Sequence, residues 1–168
     1  MKFLEKDLEE VIQLSTKKQL ENAGLLHLKG ICKRQLKIGN YGIADLIYFD
    51  RVYERNYTYL RINVCELKKD KAGISAFLQA VRYCKGIKSY LLQRKPNLLF
   101  YFNIYLIGNE IDTNSDYIFL TDLIDNYFLD YSVGNLKNIY NYSYDYKIDG
   151  LKFKMHKNYT LTEEKFKL

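Results

Sequence analysis

A chain of 168 residues has the length of one domain and can bury a core without disulfide or metal staples. Hydrophobic residues make up 48% and charged residues 27%, which excludes the composition of a disordered chain. The net charge of +6 suits a polyanionic partner but selects none by itself.

Cys32, Cys65 and Cys84 are odd in number and lack CxxC spacing, and His27 and His156 are far apart, so no zinc site is expected. The first ten residues place Glu5, Asp7, Glu9 and Glu10 where a signal peptide needs an apolar run, and no stretch approaches the roughly 18 uncharged residues of a membrane span. The expectation is a cytoplasmic protein with reduced thiols and no membrane partner.

In chain order, residues 3–14 carry Leu4, Leu8, Val11 and Ile12 on one stripe and Glu5 and Glu9 one turn apart, which predicts an amphipathic helix. Residues 25–38 alternate loosely and are β-rich, which predicts a strand ending at the turn residues Gly39, Asn40 and Gly42. Residues 42–49 and 57–68 both read as strands of an antiparallel hairpin. A turn centred between Arg55 and Asn56 sets Asp45 opposite Glu66.

From Ala72 to about Gln93, Ala76, Ala80, Tyr83, Ile87 and Tyr90 recur at steps of three and four, so a long helix is expected, stopped by Pro96. Residues 98–108 form a nearly continuous apolar run, expected for a central strand covered on both faces. In the tail, Tyr140, Tyr142, Tyr144, Tyr146 and Ile148 alternate with polar residues up to Asp149-Gly150, a favoured hairpin turn. With the turn there, Tyr146 meets Phe153, Tyr144 meets Met155 and Asp145 meets Lys154. The tyrosines read as a core face rather than a stacking platform for bases.

Residues two apart on a strand share a face, so Glu66 and Lys68 project together. With Asp45 across the hairpin they make an oxygen-rich corner suited to Mg²⁺ or Mn²⁺, hard ions that keep several waters. Such an ion polarises a phosphodiester and helps generate hydroxide, while Lys68 positions the attacking water or offsets developing charge.

The segments Gly42-Ile43-Ala44-Asp45-Leu46 and Val64-Cys65-Glu66-Leu67-Lys68-Lys69 resemble the PD-(D/E)XK nuclease superfamily, with Ala44 in place of the proline that names the motif. Gln79-Ala80-Val81-Arg82-Tyr83 resembles the Gln-xxx-Tyr motif of its RecB-like and archaeal mismatch-endonuclease-like branches; Gln79 and Tyr83 are one helical turn apart. Glu5-Lys6-Asp7-Leu8-Glu9 resembles the acidic motif of their first helix, with Glu5 favoured to complete the metal site and Glu9 as its substitute. Arg34, followed by Gln35, stands where those branches often carry a basic residue near the site.

The resemblance spans roughly residues 4–92 and implies an α+β, restriction-endonuclease-like core within about 4–108, a central mixed sheet flanked by helices. A β-rich extension covers about 109–168. It further implies a divalent-metal-dependent hydrolase of DNA phosphodiesters, with Glu5, Asp45, Glu66 and Lys68 catalytic and Asp45 and Glu66 as metal ligands. Gln79, Tyr83 and Arg34 would serve the substrate or support the site, and the chain could act as a homodimer. The competing reading is a catalytically silent domain of the same fold that binds DNA or helps an assembly.

Overall fold

In a computed structural model, which describes residues 4–54, 56–112, 133–148 and 150–156, the expected hairpin organises the molecule. Its strands are β2 (Ile43–Glu54) and β3 (Tyr57–Ala72), antiparallel, with Glu54 paired to Tyr57 and Leu46 to Cys65. That register is the expected one; Arg55 lies outside the described residues.

Before the hairpin come α1 (Glu5–Leu14), α2 (Lys17–Asn22), β1 (Ile31–Lys37) and a short 3-10 turn, Gly39–Tyr41. After it come α3 (Ile74–Arg94), β4 (Phe100–Ile111), β5 (Leu136–Lys147) and β6 (Gly150–His156). The fold is α+β: one six-stranded mixed sheet, in the order β1-β2-β3-β4-β5-β6, with helices on its faces. β4 pairs in parallel with β3 and β5, while β1, β2 and β6 join antiparallel.

α3 crosses one face. Ala76 and Ala80 bring its backbone close to the sheet, and Phe77 and Tyr83 pack among Ile47, Ile62, Val64, Phe102, Ile104 and Leu106. The other face carries a second core, where Leu8 and Ile12 of α1 meet Leu46, Cys65, Leu67, Tyr105 and Tyr142. Leu8 and Ile12 are wholly buried, each contributing about 1.5–3 kcal/mol to docking α1. β4 is buried from Phe100 to Gly108 because both cores enclose it, as its apolar run requires. None of the described helices is long and apolar enough to cross a membrane.

The structure departs from expectation in three places. The strand expected from residue 25 begins only at Ile31. Gly24, His27 and Gly30 all adopt positive φ, and three such residues within seven break an extended run, yet Leu25 and Leu28 of this segment still fill the second core. α2 is a single short helix that carries little periodicity; Thr16 caps it, accepting from the Gln19 N–H. The tail hairpin forms two residues out of the expected register: Lys147 pairs with Gly150, so Tyr144 meets Phe153, Tyr142 meets Met155 and Asp145 meets Lys152. Gly150, at φ 108, already belongs to the ladder, and the loop is Ile148 with Asp149, the latter outside the described residues. A slip of two preserves the faces, so Tyr142, Tyr144 and Phe153 still point into the core.

Candidate functional site

Where β1, β2 and β3 run side by side, the sheet kinks. Arg34 pairs with Leu46 and Leu36 with Ala44, but Gln35 and Asp45 between them are left out of the ladder. Gln35 takes φ 50. On either side of the kink the faces exchange: Arg34 and Leu46 lie toward α1, whereas Leu36 and Ala44 pack in the core under α3. Residues two apart normally share a face, so this reversal marks a local break in the pleat.

The break frees Asp45 to act as a side chain between strands. The β2–β3 ladder ends at Leu46 and Cys65, and beyond it Asp45 Oδ2 accepts the Leu67 N–H at 2.8 Å. Glu66, the neighbour of Leu67, is only 2% exposed. Its Oε1 accepts from Lys68 Nζ at 2.6 Å, and its Oε2 is buried with no partner among the described residues. Asp45, Glu66 and Lys68 therefore meet at one fork between β2 and β3.

A second irregularity lies just past Lys68. The β3–β4 ladder is regular to Lys68 paired with Gly108 and resumes, shifted, at Lys71 paired with Glu110. The bulge leaves the backbone of Lys69 to find other partners, and side chains supply them. Glu5 Oε1 accepts the Lys69 N–H at 2.9 Å, and Tyr144 Oη donates to the Lys69 carbonyl at 3.0 Å. The first helix and the fifth strand thus both fix the backbone adjoining Lys68.

The charges feel one another. Burial, then the Asp45 charge, pushes the Glu66 carboxyl up to about 7, despite the hydrogen bond from Lys68. Burial likewise raises Asp45 to about 6; the Leu67 N–H and Lys68 oppose the rise, and Glu9 and Glu5 add to it. For Lys68, burial favours the neutral amine, but the hydrogen bond and charge of Glu66, with Asp45 and Glu5, outweigh it and raise its pKa. Two carboxylates are held here with less compensation than their negative charge demands.

Tyr83, 3% exposed on α3, borders this fork: burial raises its phenol, the Glu66 and Asp45 charges raise it further, and Arg82 works the other way. Gly42, at φ 115, makes room for it, since a Cβ there would stand 3.0 Å from Tyr83 Cε1. Gln79 is half-buried one turn earlier on the same helix.

The remaining expected residues divide. Glu5 reaches the fork's margin through Lys69. Glu9 is 5% exposed and held on both oxygens, by Arg34 Nε and Gln35 Nε2, each at 2.8 Å. Arg34 also donates to the Lys6 carbonyl, so it is engaged with α1. Sequence reasoning passed over Gly42 as a packing site, Gln35 as a kink and Arg82 as a neighbour of the Tyr83 hydroxyl. Only Gly42 carried a legible signal, its glycine beside Asp45. Adjacent helical residues point about 100° apart, so spacing argues against Arg82 and Tyr83 meeting.

Among the described residues no three His, Cys, Asp or Glu side chains gather as a metal-holding group. The pair at the fork nonetheless fits a hard divalent ion: Mg²⁺ keeps several waters and is commonly held by one or two carboxylates, and Glu66 Oε2 is a buried acceptor without a donor. Compared with known proteins, the chain matches no family model, no curated protein and no solved structure.

Proposed function

We propose that this chain is a divalent-metal-dependent nuclease of the PD-(D/E)XK type that hydrolyses phosphodiester bonds of DNA. The observation that carries the reading is the convergence of Asp45, Glu66 and Lys68 at one distorted fork, with an unmet buried oxygen on Glu66. A purely structural trio would be expected to close its own hydrogen bonds.

In this reading Asp45 and Glu66 hold Mg²⁺ or Mn²⁺. The ion, when bound, polarises the phosphodiester and lowers the pKa of a coordinated water. Lys68 favours the ionised form of Glu66 through their short hydrogen bond and offsets negative charge that develops on the phosphate. Glu5 holds the Lys69 N–H and Tyr144 the Lys69 carbonyl, and together they fix where Lys68 stands. Tyr83, against Gly42, walls the fork on the α3 side.

The test is cleavage of single-stranded, duplex, flapped and branched DNA by the full chain in EDTA, Mg²⁺, Mn²⁺ and Ca²⁺. Cleavage is expected with Mg²⁺ or Mn²⁺, none in EDTA and little with Ca²⁺, whose looser coordination positions water poorly. Asp45→Asn and Glu66→Gln keep shape but remove charge, so they should abolish cutting while metal-free binding holds or tightens. Wild type that binds these DNAs but cuts none with any ion would move the chain to the binding-module reading.

A further inference from the structure

We propose that Arg82 is the cation that receives the phosphodiester at this site. The inference rests on the nuclease reading above and adds a substrate-contacting residue that the motif resemblance does not assign.

A phosphodiester approaching the fork meets Asp45 and Glu66, with Glu9 and Glu5 close enough for their charges to act on Asp45. A bound metal ion offsets part of that charge, and the substrate's own oxygens need a further positive partner. Three of the cations nearby are committed, while the Lys69 side chain, beside Lys68, is in no ion pair among the described residues. Lys68 is bonded to Glu66, Arg34 to Glu9, and Lys71 pairs with Asp112 at 2.9 Å. Arg82 takes part in none of the ion pairs formed among the described residues.

Its position is what separates it from an ordinary surface arginine. Arg82 Nη2 lies 3.4 Å, and Tyr83 Oη 3.7 Å, from the point a Cβ on Gly42 would occupy. The guanidinium carbon is 5.8 Å from the Tyr83 ring centroid, so the side chain folds back over its neighbour instead of extending into solvent. Both groups therefore converge on the start of β2, three residues before Asp45 in the chain. Because Gly42 has no side chain, both groups close directly on its backbone. The guanidinium offers a planar pair of donors matched to two phosphate oxygens; Arg82 is exposed, and with five N–H donors it can keep its hydrogen bond to the Tyr83 hydroxyl while it meets a phosphate.

The experiment compares wild type, Arg82→Ala and Arg82→Lys as full chains, using a fluorescent single-stranded DNA oligonucleotide in EDTA over a range of salt. Melting temperatures are recorded alongside. Arg82→Ala should weaken binding about tenfold and lower the slope of log K against log salt by about 0.7, the value for one phosphate contact on a single strand. Arg82→Lys should restore the slope but only part of the affinity, because an ammonium carries the charge without the paired donors. All three proteins should melt together. Unchanged affinity and slope in Arg82→Ala, with wild type still binding or cutting DNA, overturns the assignment and leaves the nuclease reading standing. A fall in melting temperature that accompanies the lost affinity also overturns it, since Arg82 would then act through packing on Tyr83. If wild type neither binds nor cuts DNA, the nuclease reading fails first and this assignment falls with it.

Discussion

Lys68 closes one side of Glu66 and leaves the other open: Nζ stands 2.6 Å from Oε1, while Oε2 is buried without a donor among the described residues. An unmet buried polar atom costs about 1–3 kcal/mol, and more when it carries charge. The carboxyl responds by holding its proton to about pH 7. Adding a cation relieves the same strain in another way, so proton and metal compete for one oxygen.

The first prediction follows from that competition. A carboxyl at about 7 when folded, against an ordinary value of 4.5, binds its proton more tightly in the native state. Its stabilising contribution is complete below pH 4.5 and is lost as pH rises to about 7. Metal-free wild type should therefore lose on the order of 2–3 kcal/mol of stability between pH 4.5 and 8 relative to Glu66→Gln. Melting both proteins in EDTA across that range checks it. At pH 8 millimolar Mg²⁺ should raise the wild-type melting temperature and leave Glu66→Gln unmoved, whatever the catalytic result. Equal pH profiles for the two proteins would refute the reading of Glu66 as a strained acid.

Lys68→Ala supplies the second prediction. Removing the ammonium leaves Glu66 buried without a counter-charge, so turnover should fall about a hundredfold to a thousandfold, roughly 3–4 kcal/mol of barrier. The apparent pKa of Glu66 should rise further, displacing the acid limb of the pH–rate profile upward in whatever activity remains. A profile that keeps its acid limb would show that Lys68 does not govern Glu66.

The hairpin register was legible because Asp45 and Glu66 lie on strands whose alternation and short loop permit few pairings, and the α+β class followed from the motif resemblance built around that hairpin. The kink was not. Nothing in the residue types at Gln35 or Asp45 announces that the pleat reverses there, with Leu36 and Ala44 in the core under α3 and Leu46 in the core under α1. Residues 25–30 misled for a different reason: Leu25 and Leu28 are buried like strand residues, yet they are delivered by a loop that turns at Gly24, His27 and Gly30. In the tail, Asp149-Gly150 marked the turn but not which of its residues would rejoin the ladder, and Gly150 does.

Glu5 and Glu9, interchangeable by spacing alone, should separate cleanly in experiment. Glu9 is buried and bonded to Arg34 and Gln35, so Glu9→Ala removes the main counter-charge of a half-buried guanidinium, which keeps the Lys6 carbonyl and the more distant Glu10, and should cost about 2–3 kcal/mol of stability. Glu5 is exposed, and its observed contact is with the Lys69 N–H. Glu5→Gln preserves that acceptor and removes the charge. If Glu5 serves the metal, Glu5→Gln should lose activity as fully as Glu5→Ala; if it serves the bulge, Glu5→Gln should retain most of it. Rates for the pair, with unfolding free energies within about 1 kcal/mol of wild type, decide between the two roles.

Tyr144 tests whether the tail is part of the fold or a surface for nucleic acid. It is 4% exposed, opposes Phe153 across the hairpin, and its hydroxyl reaches the Lys69 carbonyl on β3. Tyr144→Ser removes the ring and the hydrogen bond together and should cost about 3–5 kcal/mol, as aromatic truncations in cores do. Tyr144→Phe should cost only about 1 kcal/mol, yet it releases the Lys69 carbonyl, one of the two backbone groups of Lys69 that side chains hold, so its cleavage rate should fall more than its stability. DNA affinity measured without metal should be unchanged in Tyr144→Phe. If Tyr144→Ser weakens binding while the melting temperature stays fixed, the ring is a stacking platform for bases and the buried placement described above is wrong.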